Sequence, residues 1–259
     1  FPANSPMTSL RNISPWMCDY SHEERKRVSG NYFEYGQVDF VAGVLADEYN
    51  LEYGEKYIRT WKISRAEIQN HILNWNQPDY EMPENIASWP SKKTVYRGKE
   101  YEAADYVDVN LNHIYDPGHG DYPKISGDEA VLYITNDGRF STIDSRPLDS
   151  LNVDLYTLVY AFNRPESDYF HNTFFIRYKV INKSDIDYED FRLGLYAISE
   201  IPSLLEYEYS NVIYVGCDTT KNTFFTYPGV FGRPERTNWP VKPTITMFTF
   251  LNSSMDKFT

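Results

Sequence analysis

Cysteine is nearly absent from this chain, with Cys18 and Cys217 the only two in 259 residues. A disulfide framework is therefore excluded; one long-range bridge or two free thiols both remain open. Positive charge is also scarce. Lys and Arg total 25 against 37 Asp and Glu, a net charge of -12. Nucleic acids and anionic membranes reward the opposite sign, so neither is an expected partner. No apolar run approaches the roughly 20 residues of a membrane-spanning helix. Phosphate-cradling glycine loops, a Gly-x-Ser-x-Gly elbow and HExxH are all missing. The five histidines (His22, His71, His113, His119 and His171) show no metal-ligand spacing. No internal repeat or low-complexity segment stands out.

What the chain does have is aromatic surface. Aromatics make up 17% of it, including 23 Tyr, which favours β structure and amphipathic contact surfaces over disorder. Runs rich in Val, Ile, Tyr, Phe and Thr fall at 130–135, 155–162, 173–182, 191–198, 211–217, 223–227 and 244–251. Turn residues such as Asn136-Asp137-Gly138 and Asn182-Lys183-Ser184-Asp185 separate most of them. Within 173–181, Phe175, Arg177 and Lys179 alternate with Phe174, Ile176, Tyr178 and Val180. One helix is predicted at 64–76. Ser64-Arg65-Ala66-Glu67 is a capping box, and Ile68, His71, Ile72 and Trp75 form one apolar stripe. A short helical turn is expected at 84–89.

The expected fold is mainly β: an antiparallel β-sandwich or jelly-roll-like domain with one amphipathic helix and a long Pro/Gly/Asp-rich insertion. Residues 1–36, including the charged run His22–Arg27, read as an irregular N-terminal segment. Residues 37–259 read as the β domain, beginning with a buried strand at 37–46, with the helix and a calcium-loop-like insertion at about 62–128. The chain reads as a mature or excised slice of a longer protein.

The sharpest local signal runs from Asp108 to Pro123. Oxygen-bearing side chains fall at Asp108, Asn110 and Asn112, a backbone carbonyl can follow at Ile114, and Asp116 comes next. That stride wraps oxygens around Ca²⁺, a hard cation taking about 6–8 of them. The pattern departs from an ideal loop. His113 stands where glycine is usual at the sharp turn, Asn112 is neutral, and His119 stands where a bidentate acid is expected, so Asp121 or Asp128 would have to contribute from outside. The alternative is an Asx-rich turn held by its own hydrogen bonds, with no ion.

Catalytic signals are thin. His71 sits on the apolar helix stripe and reads as a core histidine. Glu206, Glu208, Asp187, Glu189 and Asp190 leave a glycosidase-like acid pair open, yet 37 acids bring some pairs together by chance. Cys217 has no histidine tied to it and reads as a small residue rather than a nucleophile.

Several stretches together carry a resemblance. They are Arg59-Thr-Trp-Lys-Ile-Ser-Arg-Ala-Glu-Ile68, Met82-Pro-Glu-Asn-Ile-Ala-Ser-Trp-Pro90, the loop from Val107 to Pro123, Tyr160-Ala-Phe-Asn163, Asn172–Asn182 and Tyr214-Val-Gly-Cys-Asp218. In order and spacing over roughly residues 37–259, the chain resembles the N-terminal region of large secreted Bacteroidota proteins that carry a type IX secretion C-terminal sorting domain. The resemblance implies passage through the type IX secretion machinery to the outer cell surface or the medium. It also implies a calcium loop mapping onto Asp108, Asn110, Asn112, Ile114 and Asp116. A second acidic cluster usual before the Gly-Cys-Asp motif is largely missing, and would have to be rebuilt from Glu200, Glu206 or Glu208.

Two functions are carried forward. One is a non-enzymatic surface module, an adhesin, filament or scaffold stabilised by Ca²⁺. Its partners would be other surface proteins, polysaccharide or further copies of itself. The other is a carboxylate-dependent hydrolase or lectin-like module acting on extracellular polysaccharide.

Overall fold

The computed structural model of the chain describes residues 10–20, 27–32, 37–48, 50–138, 150–199, 213–228 and 245–252. It contains 43% strand against 13% helix, which makes the class mainly β. All pairings described between strands are antiparallel, and the fold is β-sandwich-like. The chain divides into two compact units, residues 16–193 and residues 1–15 with 194–259.

The larger unit is built on a five-stranded sheet. Phe174–Asn182, Val153–Ala161 and Glu129–Asn136 lie side by side, and Glu129–Asn136 pairs along its other edge with both Val41–Ala42 and Trp61–Ser64. Register decides which side chains share a face. Leu132 opposes Leu158 and Ile134 opposes Tyr156, while Trp61 and Ile63 continue the same face. Helix α2 (Arg65–Asn74) and helix α3 (Glu84–Ala87) supply Ile68 and Ile86 to this layer, with Trp89 beside them. The opposite face carries Leu151, Val153 and Leu155, covered by Met17 and Phe40. Met17 comes from the strand Leu10–Asp19, which pairs with Arg27–Tyr32. Both faces of the sheet are thus buried, and at about 25 cal/mol per Å² this apolar burial is the main stabilising contribution.

The segment expected to be irregular therefore contains two strands, Leu10–Asp19 and Arg27–Tyr32. Their apolar residues do not alternate with polar ones, so pairing with each other, rather than local pattern, defines them. Residues 22–26 lie outside the described residues. The buried strand expected at 37–46 is two short pieces, Gln37–Val38 and Val41–Ala42. Gly43 at φ +102 turns the chain there, with the Tyr57 ring packed over it.

Helix α2 begins on the predicted capping box: Ser64 Oγ accepts from Glu67 N, and Glu67 Oε2 accepts from Ser64 N at 2.7 Å. Its stripe is narrower than predicted. Ile68 and His71 are buried, but Ile72 is 42% exposed, because only the edge of this ten-residue helix meets the sheet. A further single-turn helix, α1 (Leu51–Glu55), starts at Asn50, whose side chain accepts from Tyr53 N.

The smaller unit contains a three-stranded antiparallel sheet of Ile213–Asp218, Thr223–Pro228 and Thr246–Thr249. Phe224 stacks on Phe248 at 4.6 Å between centroids, one cross-strand pair of the kind that stabilises such sheets. Cys18 and Cys217 are both free thiols.

Candidate functional site: the 108–121 loop

The loop leaves and rejoins the larger unit through one short ladder, Tyr106–Val107 against Tyr122–Pro123. Asp121, fully buried, closes it from within. Its Oδ1 accepts from Val109 N at 2.8 Å and its Oδ2 from Asp116 N at 3.0 Å. Its backbone carbonyl meets His71 Nε2 at 3.0 Å, while His71 Nδ1 meets the Tyr80 hydroxyl at 3.0 Å. Helix α2 is thereby fastened to the loop. Gly120 at φ +101 passes so close to Trp75 that a Cβ would lie 3.1 Å from its indole nitrogen. The Tyr115 hydroxyl donates to the Ile86 carbonyl at 2.6 Å, fastening the loop to α3.

Inside this frame the side-chain oxygens of Asp108, Asn110 and Asn112 accept from the loop's own backbone N–H groups. Asp108 Oδ1 and Oδ2 accept from the backbone of Asn112 and His113 at 3.2 and 2.8 Å. Asn110 Oδ1 accepts from Asn112 N, and Asn112 Oδ1 from Ile114 N at 2.8 Å. The two amide nitrogens turn inward: Asn110 Nδ2 lies 3.1 Å from Asp116 Oδ1, and Asn112 Nδ2 lies 3.0 Å from Asp116 Oδ2. Leu111 and His113 take positive φ, 61° and 63°. The left-handed region costs an L-residue about 1–2 kcal/mol, so the chain tolerates strain at the position where glycine is usual.

Partial desolvation raises the Asp116 carboxyl, but its contact with Asp121, the Asn112 amide, the His119 ring and the Asn110 amide together hold it below its ordinary value. His119 Nδ1 stands 3.0 Å from Asp116 Oδ2, and His113 Nδ1 3.5 Å from Asp108 Oδ2. Two amide nitrogens and an imidazole ring thus stand against Asp116, and one imidazole ring against Asp108.

Asn110 and Asn112 meet Asp116 through their amide nitrogens, Asp108 meets the backbone of Asn112 and His113, and Ile114 lies on the same loop with its N–H accepted by Asn112. Asp121 has a different place: both its oxygens are taken by backbone N–H groups, which makes it the staple of the loop. Asp128 faces elsewhere, paired with Arg65 at 3.1 Å and accepting from Asn163 N. Glu200, Glu206 and Glu208 lie outside the described residues. Among the described residues no three His, Cys, Asp or Glu side chains gather as a metal-ligating group; the loop's donors are two carboxylates and two amides.

One buried pair went unread in the sequence. Lys183 and Asp154 are both fully buried, with Nζ 2.6 Å from Oδ2. Lys183 also donates to the Leu45 carbonyl and to Thr94 Oγ1 at 2.9 Å. Burial pushes the Asp154 carboxyl up to about 6 despite the ammonium beside it.

No family model matches the chain, and neither does any curated protein or solved structure.

Proposed function

We propose that this chain is a non-catalytic binding or structural module of an exported surface protein, stabilised by Ca²⁺ in the 108–121 loop. The observation that carries the reading is that Asn110 and Asn112 gather at Asp116, with Asp108 on the backbone of Asn112 and His113, in a loop fastened by Asp121, His71 and Tyr115. The donors are hard oxygens without a thiolate, which suits Ca²⁺ over transition metals. When bound, the ion would take over the charge balance that the Asn110 and Asn112 amides supply at Asp116. The chain's own part is to hold the oxygens in place and to absorb the strain at Leu111 and His113.

The resemblance to type IX-secreted surface proteins supports an extracellular or outer-surface location, with the secretion machinery as a transient partner and other surface proteins, polysaccharide or further copies as lasting ones. Exposed aromatics support contact-making: Tyr169 is 95% exposed and Phe170 45%. A screen of the purified chain against polysaccharide, peptide and ester substrates tests the non-catalytic reading, and no turnover is expected. Activity abolished by a single Asp or Glu substitution with folding intact would overturn it.

A further inference from the structure

The buried Lys183–Asp154 pair plays no part in the calcium reading. Asp154 stands near the start of the strand Val153–Ala161, and Lys183 follows the end of Phe174–Asn182, its neighbour in the sheet. Neither side chain has any exposed surface, and the Tyr101 ring centre lies 5.0 Å from Nζ. Desolvation favours the uncharged form of each group. Burial raises the Asp154 carboxyl, with the charge of Asp137 adding to the rise, and burial lowers the Lys183 amine. Ammonium with carboxylate and amine with carboxylic acid are then two states of one pair, differing by the place of one proton.

The contacts give each atom of the uncharged pair a role. Nζ then carries two protons and one lone pair. The Leu45 carbonyl at 2.6 Å and Thr94 Oγ1 at 2.9 Å accept both protons, which leaves the lone pair for Asp154. At the carboxyl, Oδ1 accepts from Leu45 N at 2.8 Å. That bond marks Oδ1 as the carbonyl oxygen and stabilises negative charge developing on it. Oδ2 makes no hydrogen bond, although Nζ lies only 2.6 Å away. It is the oxygen left free to depart.

We infer that Lys183 and Asp154 condense into an intramolecular amide cross-link. Lys183 Nζ attacks Asp154 Cγ and the C–N bond forms. Oδ2 departs with its own proton and one proton from Nζ, as water, so the step needs no oxidant, cofactor or activated group. A desolvated amine is a competent nucleophile, and fixed proximity replaces a chance encounter. Exclusion of water protects the product from hydrolysis. The cross-link ties two neighbouring strands, so a backbone cut anywhere between residues 154 and 183 leaves the pieces joined. It suits a module exposed outside the cell, but stands whether or not the loop binds Ca²⁺.

Denaturing mass spectrometry of the full chain, followed by peptide mapping, tests it. The wild type is expected to be lighter than its sequence by one water, with Lys183 and Asp154 in one branched tryptic peptide that is uncut after Lys183. Lys183→Met and Asp154→Ala should each show their full sequence mass. The wild-type mass decides the matter even where a variant fails to fold. A wild-type chain at full mass after prolonged incubation at neutral pH would overturn the inference and leave the two residues an ion pair. Water loss mapped to a succinimide at Asp137-Gly138, or kept by both variants, would overturn it as well.

Discussion

Lys183 and His71 show how single buried polar residues shape this molecule. The Lys183 ammonium has a counter-ion and two oxygen acceptors within 3 Å, and removing it would strand Asp154 as an unpaired buried charge. Lys183→Met should cost about 3–5 kcal/mol in urea unfolding, and adding Asp154→Leu should recover part of that loss. A single variant within 1 kcal/mol of wild type would contradict this account. His71 lies buried between the Tyr80 hydroxyl and the Asp121 carbonyl, and burial holds its pKa below the ordinary 6.5. Because the folded value is the lower one, its contribution is complete above about pH 6.5 and fades as pH falls through the folded value. Wild type should therefore lose melting temperature between pH 7.5 and 5.5 more steeply than His71→Phe. Parallel profiles would show that His71 does not titrate with folding.

Among the elements, those whose partners are close in sequence were the legible ones. The capping box at Ser64 and Glu67, the turn expected at 84–89 and the strand expected at 173–182 each follow a local rule, and the structure has the box, a helix at Glu84–Ala87 and a strand at Phe174–Asn182, although burial along that strand does not alternate. His71 was legible as a core histidine for the same reason. The Asn182-Lys183-Ser184-Asp185 stretch reads as a turn, and Asn182 Oδ1 does accept from Ser184 N. What makes Lys183 fully buried lies far along the chain at Leu45, Thr94 and Asp154, and no local pattern carries that. Asp121 likewise looked like a spare ligand because its backbone partners become neighbours only when the loop closes. The loop offers a direct test of its strain. His113 is at φ 63° with its side chain 90% exposed, so His113→Gly should relieve about 1–2 kcal/mol and forfeit about 0.4–1 kcal/mol in chain entropy. A net gain of about 0.5–1 kcal/mol without added calcium is expected. Destabilisation by this change would mean that His113 makes contacts worth more than its strain.

At the scale of the whole molecule, an acidic β-rich chain carries two separate polar features on its larger unit. One is the fastened 108–121 loop, the other the buried Lys183–Asp154 pair. The loop proposed to bind Ca²⁺ is central, because the functional reading rests on it. Differential scanning calorimetry of wild type and Asp116→Asn, with millimolar Ca²⁺ or with chelator, addresses it directly. Binding to the folded state alone stabilises by mass action, about 1.4 kcal/mol at a tenfold excess over Kd. Extracellular modules bind with Kd near 10⁻⁴–10⁻³ M, so an upward shift of several degrees is expected for wild type with Ca²⁺ but not with Mg²⁺, and little or none for Asp116→Asn. Superimposable wild-type transitions in Ca²⁺ and chelator would contradict the account and leave the loop an Asx-rich turn held by its own hydrogen bonds.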